Sequence, residues 1–278
     1  MNFLVLLLVL WVEKFSAWRS LIQQDGPWLR VLTRVERHAD LAASPWLAIA
    51  VLVVLPLLLL AVVLAVLEPV AYGWLALPVH LLVVIYSLGR GDLQAALGPF
   101  RDSWRRGDAE AAYLVARRDL ALEERDEGAL LQSVQRHLVW QGYQSFFAVI
   151  FWYALLGPLA ALAYRLLALL AEHATQEALR ERAVQLRHGF DWLPVRVLAV
   201  SFALVGNFVA VSWALLHELL SWDISAAQLV INVARAASET PAPVVGEEGV
   251  SSLDGLWQLL VRAAVLWYAV FALWTLFI

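Results

Sequence analysis

Five long apolar stretches dominate the pattern of hydrophobic and polar positions along this chain of 278 residues. They cover residues 46–67, 69–88, 146–164, 192–216 and 256–278. A helix of about 20 apolar residues spans a hydrocarbon core of roughly 30 Å, and inside lipid only helices or closed barrels satisfy their backbone polar groups. The pattern therefore predicts an all-α, polytopic integral membrane protein with about four to five membrane segments.

The polar segments between these stretches complete the predicted organisation. We expect a single membrane domain over 1–278, made of an amphipathic N-terminal segment (1–45), a membrane hairpin (46–88), a helical loop (89–145), further membrane segments (146–220), an acidic loop (221–255) and a C-terminal span (256–278). Basic residues in the N-terminal segment mark it as cytoplasmic, and the membrane hairpin returns the chain to the same side before the helical loop. Both segments are therefore predicted to be cytoplasmic.

Two helices are predicted inside the helical loop. The first has Gly107 and Asp108 at its N-terminal cap and ends near Gly128. The second covers ALLQSVQRHLVWQGY (129–143) and leads directly into the third apolar stretch. Mixed charge at this density is typical of a solvated helical surface.

The third apolar stretch contains a helix break at its midpoint, Gly157-Pro158. Proline removes a backbone donor and clashes with the preceding turn, so this element is predicted to be kinked or re-entrant. If the segment crosses the membrane, the following loop, 169–191, lies outside with its arginines. If it turns back, that loop stays inside and the acidic loop lies outside, which the positive-inside rule favours. Both topologies stay open.

Composition excludes several classes of function. The chain is 62% hydrophobic and 16% charged, has no cysteine, and has one lysine, Lys14. Disulfides, thiol catalysis and thiolate metal sites are therefore excluded, and no Gly-rich phosphate-binding motif surrounds Lys14. A net charge of −4 gives no reason to expect nucleic acid. No metal site is predicted, since the acids and histidines of 172–188 place no trio on one helical face. No catalytic residue and no cofactor are predicted either.

Arg165 is the first candidate for chemistry inside the membrane. It directly follows Tyr164 at the end of the third apolar stretch. An arginine in this place can extend to the headgroups at small cost. It can also point inward and hold an anionic group, which suits its rigid planar guanidinium. The two interpretations carry similar weight.

The fourth apolar stretch supplies the other candidates. Asp191 is expected to cap a helix whose first turn contains Pro194, with Arg196 close enough to pair with Asp191 or with a ligand. Asn207 lies further inside the stretch. Intramembrane Arg and Asn are costly and therefore candidates for function. A purely structural Asp191–Arg196 pair is the alternative.

Several motifs together resemble the AmpE/CobD-CbiB family of membrane proteins. They are FWYALLGPLAALAYR (151–165), DWLPVR (191–196) and SFALVGNF (201–208). The resemblance extends back through the helical loop, where Arg118 and Asp119 match part of an Arg-Asp-Thr pattern but Leu120 replaces the Thr. Acidic patterns typical of the cobalamin-biosynthesis branch are missing on both sides of the Phe-Trp segment. The resemblance therefore favours the AmpE branch over the enzyme branch.

The AmpE branch implies a sensor or signal modulator in the bacterial cytoplasmic (inner) membrane. Its implied role is in β-lactamase induction, hence antibiotic resistance, and in cell-wall muropeptide recycling. A membrane enzyme of the cobalamin type and a transport or assembly component are the alternatives. The expected partners are the lipid bilayer, an anionic small molecule or cell-wall fragment, and a membrane or cytoplasmic protein.

We hypothesise that an intramembrane or interfacial pocket binds the anionic ligand and that the helical loop reports its occupancy. The candidate ligand-binding residues are Arg165, Tyr164, Trp152, Asp191, Arg196, Asn207, Arg118 and Asp119. Trp152 is included from the Phe-Trp motif, and Arg118 and Asp119 from the Arg-Asp pattern.

Overall fold

The structure is a computed structural model that describes residues 5–8, 22–38, 44–69, 74–89, 93–216, 218–238 and 246–277, without the side chains of 276 and 277. The described elements are all helices, which confirms the all-α prediction. Much of the amphipathic N-terminal segment (9–21 and 39–43), part of the second apolar stretch (70–73) and the centre of the acidic loop (239–245) lie outside the described residues.

In chain order the helices are α1 (Gly26–Arg37), α2 (Pro45–Leu67), α3 (Ala76–Ser87), α4 (Leu93–Arg105), α5 (Ala109–Leu120), α6 (Glu127–Gly142), α7 (Ala148–Leu156), α8 (Pro158–His173), α9 (Glu177–Val205), α10 (Phe208–Leu215), α11 (Ala226–Ala237) and α12 (Glu247–Phe277). Wider π-helical turns occur within α2 at Ala50–Val54 and directly after α6 at Tyr143–Phe147. The chain divides into two compact units: unit 1 is Met1–Arg90 with Ala148–Pro194, and unit 2 is Gly91–Phe147 with Val195–Ile278.

Three of the described helices are long and apolar enough to cross a membrane. They are α2, α9 and, over Glu247–Thr275, α12. Helix α3 is also apolar but has 12 residues, about 18 Å of helix. Large side chains of α2 such as Leu58, Leu59 and Val62 are exposed, as a lipid-facing surface requires. The chain is a multi-pass membrane protein.

Gly157 is the single residue between α7 and α8. Its φ of +79° is costly for any residue with a Cβ, and Pro158 begins α8, where a missing N–H leaves no bond unmade. Helices α7 and α8 pack against each other, and each also packs against α3. The helix is therefore broken at Gly157.

The core of unit 1 forms where α1, α2, α8 and α9 meet. Pro56 explains one contact in it: proline lacks an N–H, so the carbonyl of Leu52, four residues earlier, loses its usual donor. The indole Nε1 of Trp28 in α1 donates to that carbonyl at 3.3 Å. A proline inside the span therefore creates an attachment point for the N-terminal helix.

The helical loop contains the helices that its sequence predicts. The carboxylate of Asp108 accepts from the backbone N of Ala111 at 2.9 Å and begins α5. The carboxylate of Asp126 accepts from Ala129 in the same way and begins α6. Each cap satisfies one of the backbone donors that a helix N-terminus leaves free. The helix α4 precedes both.

The predicted loop at 169–191 is wrong, because α9 begins at Glu177 and continues without a break to Val205. Asp191 and Pro194 lie inside this helix, so the expectation that Asp191 caps a helix is also wrong. The N-terminus of α9 is satisfied from another element instead. The carboxylate of Glu36 in α1 accepts from the backbone N of Thr175 at 2.7 Å and of Gln176 at 3.2 Å.

The acidic loop, predicted over 221–255, contains a helix that the sequence interpretation missed. Helix α11 begins at Ser225, whose hydroxyl accepts from Gln228 N at 3.2 Å, and it buries an apolar face that includes Leu229 and Val233. The C-terminal helix also begins earlier than predicted, at Glu247. Gly206 allows α9 to end close to α11, because a Cβ at this position would lie 2.8 Å from the carbonyl oxygen of Ala237.

Candidate functional site

Arg165 of α8 lies inside unit 1 and pairs with an aspartate from the start of the chain. Its Nη2 lies 3.1 Å from Oδ2 of Asp25, the residue that precedes α1. The side chains of Arg165 and Asp25 are 11% and 2% exposed. Burying either charge alone costs several kcal/mol, so each requires the other in this setting.

Asp191 of α9 is the second buried acid of unit 1. The Tyr164 hydroxyl, on α8, donates to its Oδ1 at 2.9 Å. Its Oδ2 lies 3.3 Å from Nε of Arg187, one helical turn earlier, and both side chains of this ion pair are largely buried. The partner of Asp191 that the sequence analysis missed is therefore Arg187.

These two ion pairs form one group, which we call the polar cluster: Asp25, Tyr164, Arg165, Arg187 and Asp191. The charges of Arg165 and Arg187 repel each other across the cluster, and the charge of Glu172 interacts favourably with Arg165. With two arginines and two aspartates, the formal charge of the cluster is zero. An anionic group that binds here has to compete with a carboxylate that is already in place.

Trp152 of α7 packs against Phe190 of α9, the residue before Asp191. The two ring centroids lie 5.1 Å apart. Among the described residues, the buried indole Nε1 of Trp152 has no hydrogen-bond acceptor. The guanidinium Nε of Arg165 is likewise buried without an acceptor in the described part of the chain. Trp152 and Arg165 therefore each hold a buried donor that no described residue of the chain uses.

Arg196 belongs to unit 2 and donates to backbone carbonyls. Its guanidinium Nε donates to the carbonyl of Leu219 and its Nη2 to that of Ser221. The residue is 7% exposed. These carbonyls lie in the segment that follows α10, outside the hydrogen bonds of that helix. This arrangement gives Arg196 a structural role in fixing the chain after α10.

Asn207 also has a local structural role in unit 2. Its side-chain Oδ1 accepts from the backbone N of Ala210 at 3.0 Å and caps α10. Its own backbone N donates to the carbonyl of Ala237 at the end of α11. Asn207 therefore begins one helix and satisfies the end of another.

Arg118 and Asp119 form a surface pair on α5. Two bonds join them, Nε to Oδ1 at 2.7 Å and Nη2 to Oδ2 at 2.8 Å. The hydrogen bond from Arg118 lowers the pKa of Asp119, and the same bond raises the pKa of Arg118. Both side chains are exposed, so the pair contributes little to stability.

Asp25 and Arg187 are the members of the polar cluster that sequence reasoning missed. Arg187 precedes Asp191 by four residues, a spacing that places both side chains on one helical face, and this signal was available in the sequence. Asp25 lies 140 residues from Arg165, and no sequence spacing connects the two. In the part of the chain that the structure describes, no three His, Asp or Glu side chains gather as a metal site.

Two comparisons with known proteins match this chain. The family model described as "Regulatory signalling modulator protein AmpE" matches residues 1–240, well over half of the chain. A relative named "Cobalamin biosynthesis protein CobD", from Stutzerimonas stutzeri (strain A1501), is 30% identical over 190 residues. That match covers 64% of this chain and 61% of the relative's length. No solved structure matches.

Proposed function

Because the chain belongs to the AmpE family of regulatory signalling modulator proteins, we propose that it is a membrane sensor whose ligand-responsive element is the polar cluster of unit 1. The ligand is an anionic small molecule, such as a cell-wall fragment. The output is a change in β-lactamase induction. The location is the bacterial cytoplasmic membrane, with α1 and the helical loop on the cytoplasmic side, as the basic residues of the N-terminal segment and the return of the chain through the membrane hairpin favour.

The observation that carries this proposal is the environment of Arg165. Its guanidinium is buried, one nitrogen is occupied by Asp25, and Nε has no acceptor among the described residues. A planar guanidinium binds a carboxylate or phosphate through two parallel bonds, so a ligand anion can make the bond that Asp25 leaves unmade. Such an anion competes with Asp25 for Arg165.

Competition between the ligand and Asp25 for Arg165 couples ligand binding to the position of α1. Asp25 directly precedes α1, and the Arg165–Asp25 pair fixes the start of this helix to α8. A ligand that takes over Arg165 removes this guanidinium from the Asp25 carboxylate, which weakens the attachment of Asp25 to α8. The start of α1 is therefore the element whose position depends on the ligand.

The test replaces both partners so that no buried charge is left alone. The double variant Arg165→Leu/Asp25→Leu removes the guanidinium and keeps the site apolar, which buried ion pairs tolerate well. Arg101→Leu/Asp254→Leu is the control, because it removes a more exposed Arg–Asp ion pair from unit 2. We expect the first variant to lose both the co-purified anionic molecules, identified by mass spectrometry, and normal β-lactamase induction. The control keeps both.

Asp25→Asn tests the competition directly. The amide keeps an acceptor for Arg165 but removes the charge that a ligand anion must displace, so we expect tighter retention of the anion. Unchanged small-molecule content in both Asp25→Asn and the double variant, with unchanged induction, contradicts the proposal.

Similarity to the cobalamin-biosynthesis relative favours one other candidate, a membrane enzyme of that type. The relative's name describes its own role, and this chain covers less than two thirds of that protein. Purified protein that converts a corrinoid carboxylate to its amide would support the enzyme. It would also assign the polar cluster to substrate binding rather than to signalling.

A further inference from the structure

Helix α1 separates its apolar and basic residues onto opposite faces. Leu32 and Val35 are buried in the core of unit 1. On the opposite face, Arg30, Arg34 and Arg37 are exposed at a spacing of four and three residues, which aligns them along one side. The one acid of α1, Glu36, is turned away from this face, since it caps the N-terminus of α9. The exposed face of α1 is therefore basic.

Contacts with α2 fix the depth of this basic face. Leu32 and Val35 share a core with the beginning of α2, from Ala48 to Val53, and Trp28 donates to the carbonyl of Leu52. Leu52 lies six residues after Trp46, about 9 Å along the helix axis. Helix α1 therefore lies beside the end of a candidate span, at the depth of the lipid headgroups.

Trp46 supports this depth independently. It is 58% exposed at the start of α2, and tryptophan prefers the layer between hydrocarbon and water. The guanidinium of Arg182, near the start of α9, lies over the Trp46 ring at 6.0 Å from its centroid. Because Glu36 also ties the end of α1 to the start of α9, these arginines lie at one end of unit 1.

We propose that the exposed face of α1 binds the headgroups of anionic phospholipids. Guanidinium groups donate charge-assisted hydrogen bonds to phosphate, and basic side chains close to a membrane surface are attracted by its anionic lipids. The positive charge of the face and its attachment to the end of a span favour a lipid headgroup over an acidic protein. This inference uses other residues than the polar cluster, so it stands or fails separately from the proposed function.

The experiment uses the full-length protein in nanodiscs of phosphatidylcholine alone or mixed with phosphatidylglycerol. Native mass spectrometry counts the phosphatidylglycerol molecules that stay bound after release from the nanodisc. The test variant is Arg30→Gln/Arg34→Gln/Arg37→Gln, and the control is Arg117→Gln/Arg125→Gln/Arg136→Gln. The control removes the same charge from exposed arginines of unit 2.

We expect the wild type and the control to prefer phosphatidylglycerol over phosphatidylcholine. In the test variant this preference is expected to be at least about tenfold smaller. Replacement of the three arginines by lysine restores most of it. Unchanged thermal unfolding in phosphatidylcholine shows that the test variant folds. Equal preference in the test variant and the wild type, or no preference in the wild type, overturns the proposal; the latter outcome leaves an acidic protein as the partner of α1.

Discussion

The two units bury their charges in different ways. Unit 1 places charged side chains against each other, as in the Arg165–Asp25 and Arg187–Asp191 pairs. Unit 2 places the buried Arg196 against the backbone carbonyls of Leu219 and Ser221. A carboxylate partner can be replaced by another anion, whereas a backbone carbonyl moves only with the chain segment that carries it. Unit 1 is therefore suited to exchange of partners and unit 2 to fixed geometry.

The largest expected effect tests the buried ion pairs of unit 1. Asp191→Ala removes the acceptor of Tyr164 and leaves Arg187 without this partner, so we expect a loss of about 3–5 kcal/mol of unfolding free energy. Asp254→Ala is the control in unit 2, where the acid is 39% exposed and the expected loss is below about 1 kcal/mol. Titration with denaturing detergent, followed by circular dichroism, measures both. Similar losses in the two variants contradict the comparison.

Arg196 provides the second, intermediate effect. Arg196→Ala leaves two carbonyls without a side-chain donor, with an expected cost of about 2–3 kcal/mol. Because these acceptors are neutral, a neutral donor serves in part, and we expect Arg196→Gln to recover some of that loss. Arg187→Gln should recover little relative to Arg187→Ala, since the charge of Asp191 stays uncompensated. The same detergent titration compares the four variants, and equal recovery at both sites would remove the distinction between the units.

The smallest effect concerns a partly buried acid of unit 2 that accepts a hydrogen bond from a hydroxyl. Ser133 donates to Glu124 at 2.8 Å, and this hydrogen bond lowers the pKa of Glu124. Because the pKa of Glu124 is lowered in the folded state, its hydrogen bond contributes fully to the free energy of unfolding above the usual pKa of glutamate. This contribution is lost as the pH falls toward the lowered value.

Ser133→Ala should therefore lower the melting temperature slightly at about pH 6 and leave it unchanged at about pH 3. Asp191 with Tyr164 is the buried counterpart of this pair, so the comparison shows how much burial adds to the same kind of bond. A melting temperature that Ser133→Ala lowers equally at both pH values assigns the effect to packing instead.

Local features of the fold follow from the sequence. The long apolar run of α2 predicts its span, and Asp108 predicts the start of α5, because hydropathy and capping depend on neighbouring residues. The prediction failed for α11 and for the start of α9. Helix α11 is short and lies in a segment whose acidity and turn-forming residues predict a loop. Helix α9 takes its N-terminal cap from Glu36, which is far away in sequence.

The sequence by itself determined that this protein is helical, lies in a membrane and belongs with the AmpE family, since composition, apolar run length and motifs are properties of the chain. It also identified Arg165, Tyr164 and Asp191 as unusual in an apolar setting. The tertiary structure alone decided their partners. Asp25 reaches Arg165 across 140 positions, and Tyr164 reaches Asp191 across 27. The energy of a buried charge depends on the group packed against it, and packing brings together residues that no local pattern connects.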